Sequence, residues 1–275
     1  MNENKQTTIT SGPYTFQIID NTLLSSTNTE IYGRKFKIGS TDQDWVEISI
    51  INENNKPIDA RMRFLHNDGP EWSVSNGHMY NMIKTLLDYV YVHVQIPTLT
   101  HINFDDKTHI EYAAEDAIPL YYFSIAFNGQ TWYEKYFNAT QSNHDRHERY
   151  RKRVAEFLYE HEYKTHIQFD RFVSLFNKRE EEMVELVEYY DHANNFNEFF
   201  QSIPEQDRCR LVGPWIQQFM KYMLKDVFYG EDWIIQFPLQ ITGENNETRN
   251  FYYPEDMKIT NNFQSKNICL FPEDI

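Results

Sequence analysis

The chain holds two cysteines, Cys209 and Cys269, in 275 residues. Two thiols cannot form a four-ligand thiolate centre, and a pair this far apart is not the framework of a small disulfide-stapled secreted fold. Glycine is scarce, at nine residues. No phosphate loop ending in Gly-Lys-Ser/Thr and no Gly-x-Ser-x-Gly nucleophile elbow occurs. No apolar run approaches the roughly 20 residues of a membrane span. The polar start, Met1 to Thr8, has no hydrophobic segment of a signal peptide. These absences predict a cytoplasmic protein with no membrane association. Cations are short as well: 26 Lys and Arg face 41 Asp and Glu, for a net charge of −15. Such a chain is repelled by nucleic acid and by anionic membranes. The expected partner is therefore a basic protein surface, or RNA or DNA meeting a local basic patch.

Hydrophobic residues make up 40% of the chain and aromatic residues 16%. That is enough apolar surface for a core and argues against wholesale disorder. The length admits one large domain or two modest ones.

The stretch from Trp72 to Asp106 organises the reading. Met79, Met82, Ile83, Leu86, Leu87, Val90, Tyr91 and Val94 recur at helical spacing. Ser75 or Asn76 can cap that helix, and Pro97 ends it. His101 to Phe104 alternates as a strand and stops at Asp105-Asp106. Upstream, residues 1–12 read as a flexible arm. Strands are expected at Tyr14–Ile19, Glu30–Ile38, Trp45–Ile51 and Ile58–Leu65, the last two joined as a hairpin. Downstream, a helix runs from Pro119 to Phe137, with Asn128-Gly129 as a break. From about residue 143 the texture is charged and helical. Faces are marked by Tyr150/Val154/Phe157/Leu158, by Phe169/Phe172/Val173/Phe176, by Met183/Leu186/Val187/Tyr190, and by a long run after Pro214. Trp233 to Phe237 reads as a late strand, followed by an irregular tail. The predicted class is α+β or α/β, a mixed sheet with flanking helices followed by a mostly helical extension. Its segments are 1–12, 13–142, 143–230 and 231–275.

Three groups of residues carry candidate chemistry. Asp105, Asp106 and Glu111, with His101 and His109 nearby, follow a buried strand, where carboxylates can serve as a base or hold a metal. Carboxylates at a strand end are equally ordinary turn formers. His144 and His147, and His161 and His166, have spacings that invite a metal reading. The arginines around the first pair disfavour a cation, so no metal is expected. Arg146, Arg149, Arg151, Lys152 and Arg153, with Tyr150, form a concentrated basic run suited to phosphates and to base stacking. Glu148, Glu156, Glu160 and Glu162 offer partners that would neutralise much of it.

Residues 45–138 resemble the GNAT family of N-acetyltransferases. The likeness lies in the order of strand (Phe64-Leu65), loop (Asn67 to Gly77), helix, strand (Ile102 to Phe104) and a helix bearing Tyr133-Glu134-Lys135. The resemblance implies that loop amides at Ser75, Asn76 and Gly77 would bind the pyrophosphate of acetyl-CoA. It also implies that Tyr133 would act as general acid, with Asp105 or Glu111 as base. In the loop, however, Asp68-Gly69-Pro70-Glu71-Trp72 places two carboxylates and a residue without an N–H where the family has small residues. Like charges oppose pyrophosphate there. Tyr121 to Phe137 is similar to segments of uncharacterised proteins of large nucleocytoplasmic DNA viruses. The leading expectation is a non-enzymatic viral adaptor in the host cytoplasm, without a cofactor, that binds a protein or nucleic-acid partner. The alternatives are an acyl-CoA-dependent N-acyltransferase and an RNA-binding protein using residues 146–153.

Overall fold

The computed structural model describes residues 4–24, 31–40, 43–53, 56–64, 76–94, 99–106, 109–113, 116–173, 180–228 and 232–237. The chain opens with five strands, β1 (Asn4–Ser11), β2 (Tyr14–Leu24), β3 (Ile31–Ser40), β4 (Gln43–Glu53) and β5 (Lys56–Phe64). Each pairs antiparallel with the next. Residues 4–11 are therefore not a loose arm. Their polar, Thr-rich sequence pairs in full with β2, from Asn4 opposite Asn21 to Ser11 opposite Tyr14. Gly12, at φ 58°, supplies the left-handed residue that closes this hairpin.

Helix α1 (Asn76–Val94) then crosses over to β6 (His101–Phe104), which lies parallel to β5. A two-strand hairpin follows, β7 (His109–Ala113) with β8 (Asp116–Pro119). The expected helix from Pro119 is two, α2 (Leu120–Asn128) and α3 (Trp132–Phe137). Gly129, at φ 69°, ends the first in the left-handed conformation that glycine tolerates. After the short β9 (Thr140–Gln141) come α4 (His144–Tyr159), α5 (His161–His166), α6 (Asp170–Val173), α7 (Glu180–His192), α8 (Phe196–Ser202) and α9 (Glu205–Met223), and then β10 (Trp233–Gln236). Pro214 does not start the last helix but lies inside α9. Cys209, Leu211 and Val212 carry the buried face upstream of it, so packing outweighs one missing backbone bond.

The main sheet has the order β1-β2-β3-β4-β5-β6-β10-β9, which makes the fold a mixed-sheet member of the α+β class. The strand register sorts its two faces. Asp20, Phe36, Ile48, Met62, Phe104 and Trp233 stand opposite one another across six strands, and all are buried. The helices pack on that face. Tyr133 of α3 meets Phe104, and Tyr150 of α4 meets Trp233. The hydrophobic core runs as one cluster from Phe16 to Phe237, so the sheet and the helical half share it. Phe127 of α2 is a junction, in T-shaped contact with Phe200 and beneath the guanidinium of Arg208.

Candidate functional site

Tyr133 sits between α3 and the sheet, 3% exposed. Its ring lies 4.6 Å from that of Phe104 and 5.0 Å from that of Trp132. Burial, together with the charge of Asp106, pushes its hydroxyl well above the ordinary tyrosine range. A general acid must reach the atom it protonates, and this hydroxyl faces the protein interior. Asp106 is buried and Asp105 half-buried just past β6. Glu111 belongs to β7, its backbone opposite Ala117. Ser75 and the loop from Asn67 to Ser75 lie outside the described residues, and Asn76 and Gly77 form the first turn of α1. No group of three or more metal-ligating side chains occurs among the described residues.

The polar cluster the structure does assemble is centred on the neighbour of Tyr133. Glu134 is 8% exposed. Its Oε2 accepts the backbone N–H of Thr131 at 2.7 Å and the hydroxyl of Tyr150 at 2.7 Å. The Thr131 hydroxyl accepts the N–H of Glu134 at 3.2 Å, which completes a capping box at the start of α3. The Arg151 guanidinium approaches Oε1 at 3.5 Å and donates to the Gly129 carbonyl at 2.8 Å. Burial raises the carboxyl of Glu134, while the Thr131, Tyr150 and Arg151 contacts pull it back down. One acid thus ties the α2–α3 turn to α4. Thr131-x-x-Glu134 is the sequence signature that marks it, although its long-range partners Tyr150 and Arg151 are invisible to a local pattern.

That cluster changes the basic run on α4. Tyr150 is fully buried, 5.0 Å from Phe228 and bonded to Glu134, so it does not offer a ring to a base. Arg151 reaches inward. Arg153 donates to the Met223 carbonyl and pairs with Glu156, which also takes Lys152 at 3.7 Å. Arg149 bonds the Asp145 carbonyl of its own helix, and Arg146 is half-buried. His147 is half-buried beside them, and burial with the positive charge of Arg151 lowers its pKa.

A second basic surface comes from strand pairing. The face of the sheet away from the helices carries Lys35 and Lys37 on β3, Glu47 and Ser49 on β4, and Arg61 and Arg63 on β5. Lys37 is opposite Glu47, which is opposite Arg63; Lys35 is opposite Ser49, which is opposite Arg61. Arg61 and Arg63 are exposed. The four cations lie in two short pairs about 26 residues apart in sequence, so a scan for charge runs misses them. The signal is local: Lys-x-Lys and Arg-x-Arg within strands put both charges of each pair on one face.

No protein-family model, curated protein or solved structure matches this chain.

Proposed function

We propose that the chain is a non-enzymatic adaptor, of viral origin, whose α+β body binds a macromolecular partner through its surface. One observation carries this reading. Tyr133, the residue placed to be a general acid, is a packed member of the aromatic layer between α3 and the sheet. Among the described residues, exposed cations such as Arg61 and Arg63 stand on the sheet surface, as suits binding. The competing acyltransfer reading requires acetyl-CoA to engage the chain near α1 and Tyr133 to deliver a proton. Calorimetric titration of CoA and acetyl-CoA to millimolar concentration separates the two. The expected result is no heat of binding. Saturable heat, lost on substitution of Gly77, would overturn the adaptor reading.

A further inference from the structure

We propose that the outer face of the sheet docks the phosphate backbone of double-stranded nucleic acid, an inference that rests on the binding-protein reading above. Lys35 and Lys37, and likewise Arg61 and Arg63, are two residues apart on one strand face, about 6.8 Å along the strand. The pairs are separated by β4, about 9.6 Å across. They form a four-cornered grid of cations on a broad surface. Among the described side chains of β3 to β5, two carboxylates share the face with these four cations. Glu47 takes Lys35 at 3.2 Å and the Ser49 hydroxyl at 3.0 Å, and Asp59 accepts from Asn103 at 2.9 Å. Among the described residues of these strands, cations outnumber carboxylates on this face, on a chain whose net charge is −15.

The rest of the face selects the partner. Its other described side chains include Gln6, Thr8, Gln17 and Asn21, the aliphatic Ile19, Leu23 and Ile51, and no Phe, Tyr or Trp. A protein interface draws most of its strength from Tyr, Trp and Phe anchors, and none stands among the described side chains of this face. A single nucleic-acid strand is held by stacking its bases on aromatic rings, which are missing for the same reason. Charge, amides and hydroxyls make up most of the face, the set that contacts phosphate and sugar without reading bases. Paired guanidinium forks on β5 suit phosphate oxygens bidentately.

The test is fluorescence anisotropy of the full chain with a labelled mixed-sequence 20-base-pair duplex. One constituent strand and a polyglutamate peptide are run alongside. Duplex binding is expected, with a log–log salt slope of about −2 to −4, the value for two to four phosphates neutralised. The Arg61→Ala/Arg63→Ala double variant, substituted at exposed positions and checked to melt with the parent, should bind at least ten times more weakly. Arg61→Lys/Arg63→Lys should recover part of the loss, and Lys221→Ala should leave binding within twofold. The proposal is overturned by no duplex binding at low salt, or by indifference to the Arg61/Arg63 change. Equal affinity for the single strand or for polyglutamate also overturns it, as does a loss confined to Arg149→Ala/Lys152→Ala on α4. If duplex binding fails and CoA remains inert, this inference falls while the adaptor reading stands. Saturable CoA heat sinks the adaptor reading itself.

Discussion

The sheet half and the helical half bury their apolar residues in different currencies. Under α1 the core is mainly aliphatic: Ile18, Ile38, Val46, Ile48, Ile50 and Met62, with Phe16 and Phe36 among them. In the helical half large rings, Phe157, Phe169, Phe196, Phe199, Phe200, Trp215 and Phe219, share the core with aliphatics such as Leu158, Leu211, Val212 and Ile216. β-branched residues suit a pleated surface, and their period of two fixes which face is buried. A slip of one residue would send Lys37, Glu47 and Arg63 into the core, so register is strongly specified. The helical half has no such ladder. Helices α5, α6 and α8, at 6, 4 and 7 residues, are too short to persist alone. Ring-on-ring packing holds α6 and α8, where Phe172 meets Phe219 and Trp215 contacts Phe169, Phe199, Phe200 and Phe219 at once, while α5 is tied on by the Tyr163–Glu156 hydrogen bond and by Lys164 over the Tyr190 ring.

That contrast makes the largest prediction. Trp215→Ala removes a fully buried ring and should cost about 3–5 kcal/mol. Ile48→Val trims one methylene under an intact ladder and should cost about 0.5–1.5 kcal/mol. Urea unfolding followed by circular dichroism measures both. Equal losses would break the comparison.

The next effect tests whether Glu134 is a structural clasp. Glu134→Ala leaves the Tyr150 hydroxyl and the Thr131 N–H without their acceptor inside the core, at about 1–3 kcal/mol for each stranded group. Glu134→Gln keeps an oxygen for both donors and should lose much less. The two variants also separate by pH. A carboxyl whose folded pKa is raised binds its proton more tightly in the native state. Its contribution is fully present below the ordinary glutamate value of 4.5 and is lost as pH rises through the raised folded value. Stability of the parent should therefore carry a downward component with rising pH in that window, and Glu134→Gln should abolish it. A parent and a Gln variant with superimposable pH profiles would remove Glu134 from the account.

The element order was largely legible because the chain writes its periods plainly. Alternation at Phe16/Ile18, Phe36/Ile38 and Val46/Ile48/Ile50 reads as strands. The three-and-four spacing from Met79 to Val94 reads as α1. What escaped has physical reasons. The polar strand Asn4–Ser11 has no apolar alternation, since it is an edge strand with a partner on one side only. α8 is about two hydrophobic turns whose Phe196, Phe199 and Phe200 are explained by the distant rings they meet, Phe219, Phe169 and Trp215. The basic run on α4 was visible, but its partners Gly129, Glu134 and Met223 lie far off in sequence. No local rule shows that Arg151 and Arg153 turn inward. The sheet-face cations failed the opposite way, dispersed in sequence and gathered by register.

The smallest prediction sharpens the contrast within the sheet half. Arg34 donates to both carboxylate oxygens of Asp20, at 3.3 and 2.5 Å, and to the His93 carbonyl at 3.0 Å. It thus fastens the C-terminal turn of α1, whose last carbonyls have no helical partner, to β2 and β3. The Arg34 side chain is 26% exposed, so water replaces part of what is removed. Arg34→Lys keeps a positive charge beside Asp20 and a stem over the Phe36 ring while giving up the guanidinium's reach to His93, and should cost about 1 kcal/mol, below the loss at Glu134. The discriminating readout is amide hydrogen exchange. Protection should fall in residues 90–94 and hold in the first turns of α1 and in β4. Uniform acceleration across the sheet would mean that Arg34 supports the whole layer, not one helix end. In that case the aliphatic half depends on its charged contacts as heavily as the helical half depends on its rings.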